Sequence, residues 1–435
     1  MRITYLTQYF RTPRMPGGTR AYEFARRLAA AGHDVTVVSG MPPDPCDVPA
    51  RVTAEDGITV HWLPVACDNR MSFRRRLGAF GAFALAARLR ARALPTDLVV
   101  ATSTPLTIAV PGVAAARTWG APLVLEIRDL WPQLPIDFGA LRGPLARRAG
   151  FALERWAYRH ADHIVALTPG IAASIRQRFP DAAVHMIPNG ADTQVFADAD
   201  RAGRALRARE PWLGDRPMLL YAGTVGLANG VDYLVRVAAA LPAPACVVVL
   251  GTGNRRDAVR DAAAAAGVLD RTLYLRGPVS KAGVAAWFGA ADATVSTLAD
   301  LPSLQGSAPN KVFDSLAAGR PVATTYGGWL TDLLVGAGAG LRLDPADPAA
   351  AAAALAALLG DRPQLRAAQA AARRVGAAHF RRDDLFRQFH EVLRQAVSHH
   401  RDAGGQRHVV PGPESVGDQD VRRAVDQAAT PGMRR

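Results

Sequence analysis

Lysine is nearly missing from this 435-residue chain, in which 2 lysines stand against 50 arginines. The ratio reads as codon bias rather than design, and it makes Lys281 and Lys311 worth weighing one by one. Cysteine is scarce as well. Cys46, Cys67 and Cys246 show neither paired nor ligand-like spacing, which argues against a disulfide framework or a cysteine zinc site and fits a reducing, cytoplasmic compartment. No secretory leader is expected, because the apolar run Ile3 to Leu6 is soon broken by Gln8, Arg11 and Arg14. The uncharged stretch 98–116 approaches the length of a spanning helix, but it carries Pro105, Pro111 and the hydroxyls of Thr102, Ser103, Thr104 and Thr107. The G-x-G-x-x-G dinucleotide fingerprint is absent. Asp198 and Asp200 fall in a connector, and Asp418 and Asp420 in the tail, so no metal site is expected. A net charge of +14 would suit nucleic acid, yet no recognition motif or interleaved aromatics accompany it, and no nucleic-acid partner is expected.

What the chain does have is apolar residues, 49% of the total, enough for two cores. Short apolar runs at residues 2–7, 34–39, 98–101, 123–127, 163–167 and 184–187 alternate with helical patterns. A second series follows at 218–221, 245–250, 272–275, 293–296, 321–324 and 340–343. The fold class expected is α/β, with two doubly wound Rossmann-like domains. Ile187-Pro188-Asn189-Gly190 ends the first series, giving domains over 1–190 and 191–399, the second closing in helices. The tail 400–435 has few large apolar residues and is expected to be disordered.

Three segments carry candidate chemistry. Gly17-Gly18 follows the first strand and opens a helix near Thr19, which suits an anion at helix N-terminal amides or simply a tight turn. Arg128-Asp129 stands at the carboxyl end of a parallel strand. There Asp129 can orient or deprotonate an acceptor hydroxyl while Arg128 keeps it ionised, or the two can form a structural pair. The densest segment runs from Gly306 to Pro321: Asn310 can cap a helix, and Lys311 and Asp314 share one face of it. Together they offer a cation for phosphate and a carboxylate for diol hydroxyls, or a surface ion pair.

These segments, with Ile187–Asp192, Tyr221–Gly226, Leu250–Gly253 and Pro309–Pro321, make the chain from Met1 to about His399 resemble glycosyltransferase family 4, of GT-B fold. Arg128–Pro132, Gly226–Gly230 and Pro309–Lys311 are most similar to the branch of bacterial surface-polysaccharide and amino-deoxysugar transferases. The resemblance implies two domains facing a cleft, C-terminal helices returning toward the first domain, and sugar transfer from a nucleotide diphosphate with retention and no metal or other cofactor. It implies donor contacts at Gly17, Gly18, Gly223, Thr224, Ser307, Asn310, Lys311 and Asp314, and catalytic roles for Asp129, Arg128 and Lys311. Asp314 stands where the family more often has Glu, and Gly306 where it has an earlier acid. Two family cations are replaced by Thr224 and Asn229, which leaves Lys311, with helix N-terminal amides at Gly18 and the Gly-rich turn at Gly223, to neutralise more of the diphosphate charge.

Between Asp68 and Asp97 lie Arg70, Arg74, Arg75, Arg76, Arg88, Arg90 and Arg92 and no acid, bracketing an uncharged segment with Phe80 and Phe83. That pattern fits a peripheral helix on an anionic membrane surface or an ordinary packed helix with a solvated arginine face. The leading expectation is transfer from UDP-sugar to a polyprenyl-diphosphate-linked saccharide at the inner membrane face. The alternatives are a soluble acceptor such as an inositol phosphate or secondary metabolite, a nucleotide-sugar 2-epimerase, and a binding protein that has lost activity.

Overall fold

A computed structural model describes residues 1–15, 17–42, 51–65, 71 and 73–404. Cys46, Cys67, Arg70 and the tail from 405 lie outside the described residues. The chain divides into two compact units. The first comprises Met1–Thr12, Thr19–Ile187 and the described residues from Phe386 onward, and the second Pro13–Gly18 and Pro188–Leu385.

The first unit is built on eight strands: β1 (Arg2–Thr7), β2 (Asp34–Gly40), β3 (Val52–Glu55), β4 (Ile58–Leu63), β5 (Leu98–Thr102), β6 (Leu123–Ile127), β7 (His163–Ala166) and β8 (Val184–Met186). They lie in the order β3-β4-β2-β1-β5-β6-β7-β8, and every pair is parallel except β3 with β4. The order reverses at β1, flanked by β2 and β5, which is where open α/β sheets place a ligand. β3 and β4 are a hairpin that the apolar-run reading passes over. Its turn, Asp56-Gly57, takes φ of 48° and 81°, the two left-handed conformations that suit the twist of a two-residue hairpin.

β6 is buried at all five positions, as a central strand covered on both faces must be. On one face, helices Phe73–Arg92, Ala109–Trp119 and Pro144–Arg159 pack on Leu6, Val38, Val99 and Leu125. Phe80 and Phe83 belong inside this layer, at 2% and 0% exposure. The two aromatics of the uncharged segment expected to face a membrane therefore face the sheet, while Leu77 and Leu85 of that segment are exposed. Arg90 bonds His61, and the Arg92 guanidinium donates to the Thr118 hydroxyl. Helix Arg382–Gly404 packs its Phe389 ring 4.8 Å from Phe24 of helix Arg20–Ala30. No helix among the described residues is long and apolar enough to cross a membrane.

The second unit has six parallel strands: β9 (Met218–Ala222), β10 (Cys246–Leu250), β11 (Leu273–Arg276), β12 (Ala293–Ser296), β13 (Val322–Thr324) and β14 (Gly340–Arg342), ordered β11-β10-β9-β12-β13-β14. Alternate residues feed two cores: Met218, Leu220 and Val248 one face, Leu219, Tyr221 and Val247 the other. Helices Pro348–Gly360 and Arg362–His379 each start on an aspartate, Asp347 and Asp361, whose side chain accepts a first-turn amide. Asp198 pairs with Arg201, and Asp200 with Arg320 and Arg373, so both connector carboxylates have structural partners.

Candidate active site

In the second unit, β9 runs into Gly223 and Thr224, and β10 into Gly251 and Gly253. A methyl group on Gly251 would lie 2.0 Å from the Gly223 carbonyl oxygen, and one on Gly253 2.2 Å from that of Val225. The two loops thus touch backbone to backbone, which no residue with a Cβ permits. The Gly223 amide donates to the Leu250 carbonyl at 2.9 Å. That one amide of the Gly-rich turn is engaged and not free for a diphosphate; what Gly223 itself supplies is room. A methyl on it would stand 3.0 Å from Lys311 Cε and 3.3 Å from Nζ.

Lys311 is the second residue of helix Asn310–Ala317. The expected Asn310 cap does not form. Pro309, at φ −63° and ψ 140°, is itself the residue before the helix, and Asn310 already lies inside it with no side-chain cap. The lysine stem is partly accessible, but Nζ is sealed from water and has no hydrogen-bond partner. It stands 3.9 Å over the ring of Tyr221, whose hydroxyl donates to the Thr224 carbonyl at 2.6 Å. Burial brings the ammonium down to a pKa of about 7. A cation without a counter-ion in such a place is costly, and the ring face recovers only part of the lost hydration. The surface ion pair open to Lys311 and Asp314 is therefore not what forms.

The neighbouring expected residues fall around this cation unevenly. Segment Pro13–Gly18 groups with the second unit, Gly17 takes φ 129°, and a methyl on Gly18 would lie 2.6 Å from Asn310 Nδ2. Gly18 and Asn310 are thus in contact. Ser307 donates its amide to the Leu304 carbonyl at 3.2 Å, and Gly306 has φ 75° with open space where a Cβ would stand. Thr224 is exposed on its loop, and Asp314 sits half-buried one turn beyond Lys311.

In the first unit, Asp129 follows β6 and accepts a hydrogen bond from the Thr104 hydroxyl at 2.7 Å. Arg128 donates its backbone amide to Ser103 Oγ at 3.0 Å. No ion pair between Arg128 and Asp129 occurs among the described residues, so the structural pair open to them does not form; successive side chains at a strand end diverge. A buried network lies beneath. Arg20 Nε meets Glu126 Oε2 at 2.9 Å, its Nη2 donates to the Ile187 carbonyl at 3.1 Å, and its guanidinium stands 4.4 Å over Phe24. Thr102 donates to Glu126 Oε1 at 3.1 Å. The pair ties the start of helix Arg20–Ala30 to the strand that leads into Arg128-Asp129. Glu126 was its visible signal, a lone carboxylate in an otherwise apolar strand.

Residues 17–190 match the family described as Glycosyl transferase 4-like domain, and residues 216–361 the one described as Glycosyl transferases group 1. The chain is 30% identical over 393 residues to D-inositol 3-phosphate glycosyltransferase of Xylanimonas cellulosilytica, a match covering 83% of this chain and 88% of that one. Among solved structures it is similar to sucrose-phosphate synthase of Thermosynechococcus elongatus, with TM-score 0.73 and 18% identity over 92% of this chain and 99% of that one. Anabaena HepE in complex with UDP-glucose matches with TM-score 0.69 and 16% identity, covering 91% and 100%. Both structures share the fold.

Proposed function

Because the chain belongs to glycosyltransferase family 4, of GT-B fold, we propose that it moves a sugar from a uridine-diphosphate donor to a soluble polyol acceptor of the inositol-phosphate kind. The observation that carries this reading is Lys311 Nζ, buried without a partner at a helix N-terminus beside Gly223. A diphosphate is the ligand such a cation lacks, and the helix dipole adds to the attraction.

The reaction proposed is front-face transfer without a metal ion. The bond from the anomeric carbon to the β-phosphate oxygen breaks, a bond to the acceptor oxygen forms on the same face, and the acceptor proton passes to the leaving phosphate. Lys311 stabilises the charge that develops on that phosphate. Asp129, fixed by Thr104, is the group of the first unit proposed to orient the acceptor hydroxyl. Asp314 is proposed to hold the donor's ribose hydroxyls and Ser307 its sugar. The soluble acceptor takes precedence over the lipid-linked one for two reasons. The first-named relative acts, by its name, on D-inositol 3-phosphate, and the two aromatics of the segment on which a membrane reading rested, Phe80 and Phe83, are buried.

The test is a matrix of UDP-, GDP- and dTDP-sugars against inositol phosphates, other polyols and polyprenyl-diphosphate saccharides, read by mass spectrometry. Transfer from a UDP-sugar to a soluble polyol supports the reading. Transfer to the lipid-linked acceptor alone, or epimerisation of donor without any acceptor, overturns it.

A further inference from the structure

Three side-chain groups near the carboxyl rim of the first sheet are enclosed and partnerless, and none belongs to the site described above. Gln8 follows the last residue of β1, at the point where the strand order reverses, and is 2% exposed. Neither its Oε1 nor its Nε2 has a hydrogen-bond partner. Thr107 Oγ1, on the segment after β5, and Trp131 Nε1, on the segment after β6, are likewise sealed and unbonded. Alternation along β1 puts Gln8 on the same face as Leu6, the face covered by helix Phe73–Arg92. Trp131 packs on that layer too, its ring 5.9 Å from Phe80. The registers Thr7 to Thr102 and Thr102 to Glu126 set Gln8, Ser103 and Ile127 side by side, immediately before Arg128 and Asp129.

A primary amide loses two or more hydrogen bonds to water on burial, and native proteins seldom leave both of its ends empty. An apolar wall with a few unpaired polar atoms is how a small-ligand site is built. We infer that Gln8, with Thr107 and Trp131, forms the acceptor-recognition site, in which the Gln8 amide receives and donates a hydrogen bond to adjacent hydroxyls of a polyol. The chemical match is specific. Oε1 accepts from one hydroxyl and Nε2 donates to its neighbour, while Trp131 Nε1 only donates and so faces an oxygen with a free lone pair. Gln8 is a specificity residue here, not a catalytic one, and the inference rests on the proposed polyol acceptor.

The discriminating experiment is Gln8→Leu in the full chain, with inositol 3-phosphate as the probe. A purely structural Gln8 predicts an equal or higher melting temperature, since an unsatisfied amide is removed, with unchanged kinetics. A recognition residue predicts the same stability but an acceptor KM raised at least about tenfold with donor KM unchanged, on the scale of leaving a substrate hydroxyl unpaired. A deoxy analogue of the acceptor should lose that factor with the wild-type enzyme and not with Gln8→Leu. Trp131→Phe, which keeps the ring against Phe80, provides a second variant should Gln8→Leu fail to fold. Acceptor KM within twofold of wild type in a folded Gln8→Leu protein overturns the inference. If the enzyme turns over no polyol, the function proposed above fails separately. Calorimetric titration of inositol 3-phosphate then decides: weaker binding to Gln8→Leu supports the site, and equal or absent binding to both proteins refutes it.

Discussion

A single ammonium group carries most of the chemistry assigned to the second unit, and its environment makes it testable. Lys311 is one of 2 lysines in the chain, and its Nζ is both buried and unpaired. Lys311→Ala should lower turnover at least about a hundredfold, the scale of losing one transition-state donor. Lys311→Met should do the same while raising the melting temperature of the unliganded protein, because an uncompensated charge leaves the interior. Unchanged kinetics in a folded variant refute the assignment. The depressed value of about 7 gives a second test. A bound diphosphate favours the charged form, so UDP binding near pH 8 should take up about one proton per site, and near pH 5 none. Calorimetry in buffers of different ionisation enthalpy measures this directly. Lys311 was legible in the sequence because lysine is so rare and glycine and proline surround it. That Asn310 does not cap and that Arg128 and Asp129 do not pair was not legible, nor was the engagement of the Gly223 amide, since residue type and spacing do not say which amide a strand has engaged or where a side chain turns at a strand end.

Loops and helices show where pattern reading stops. The strands rich in Val, Leu and Ile are plain in the sequence, whereas β3, with Thr53 and Glu55 on a half-exposed edge, lacks the apolar run that marks its neighbours. Its Asp56-Gly57 turn was the available clue. Likewise, the glycines of the β10 loop, which in the sequence only carry the family resemblance, permit backbone contact between loops. Gly253→Ala should cost at least about 2 kcal/mol in urea unfolding, since a Cβ has no space against Val225. The last helix carries a different liability. His390 lies with its Nε2 2.8 Å from that of His33, whose Nδ1 is 3.4 Å from the amino terminus. His399 stacks at 5.4 Å on His163, which bonds His185 at 2.8 Å. Burial, followed by neighbouring positive charge, holds His33, His163, His185 and His390 below the usual histidine value; the facing groups include Arg176, Arg394, Asp162 and Glu391. Such groups bind protons better unfolded, so their contribution is complete above about pH 6.5 and is lost as pH falls toward the depressed values. The urea midpoint should drop between pH 7.5 and 5.5, less steeply in a His33→Gln, His163→Gln double variant. A flat wild-type profile contradicts this.

For the whole molecule, the charge of +14 is the property most easily overread. Phe80 and Phe83 pack against the first sheet, so neither ring is available to enter a bilayer. Any recruitment to anionic vesicles should then be electrostatic alone and vanish at about 0.5 M salt, where screening is nearly complete. Flotation that persists at that salt contradicts the soluble reading. The division of the chain has a further consequence, for the order in which it matures during synthesis. The first unit is finished by residues from Phe386 on, whose Phe389 covers Phe24, while the second consists almost wholly of Pro188–Leu385. A ribosome therefore releases the means to close the later-encoded core before those to close the earlier one. The amino-terminal sheet must wait, part-covered, while about 200 further residues emerge, some tens of seconds at ordinary elongation rates, and in that interval it is the segment most in need of a chaperone.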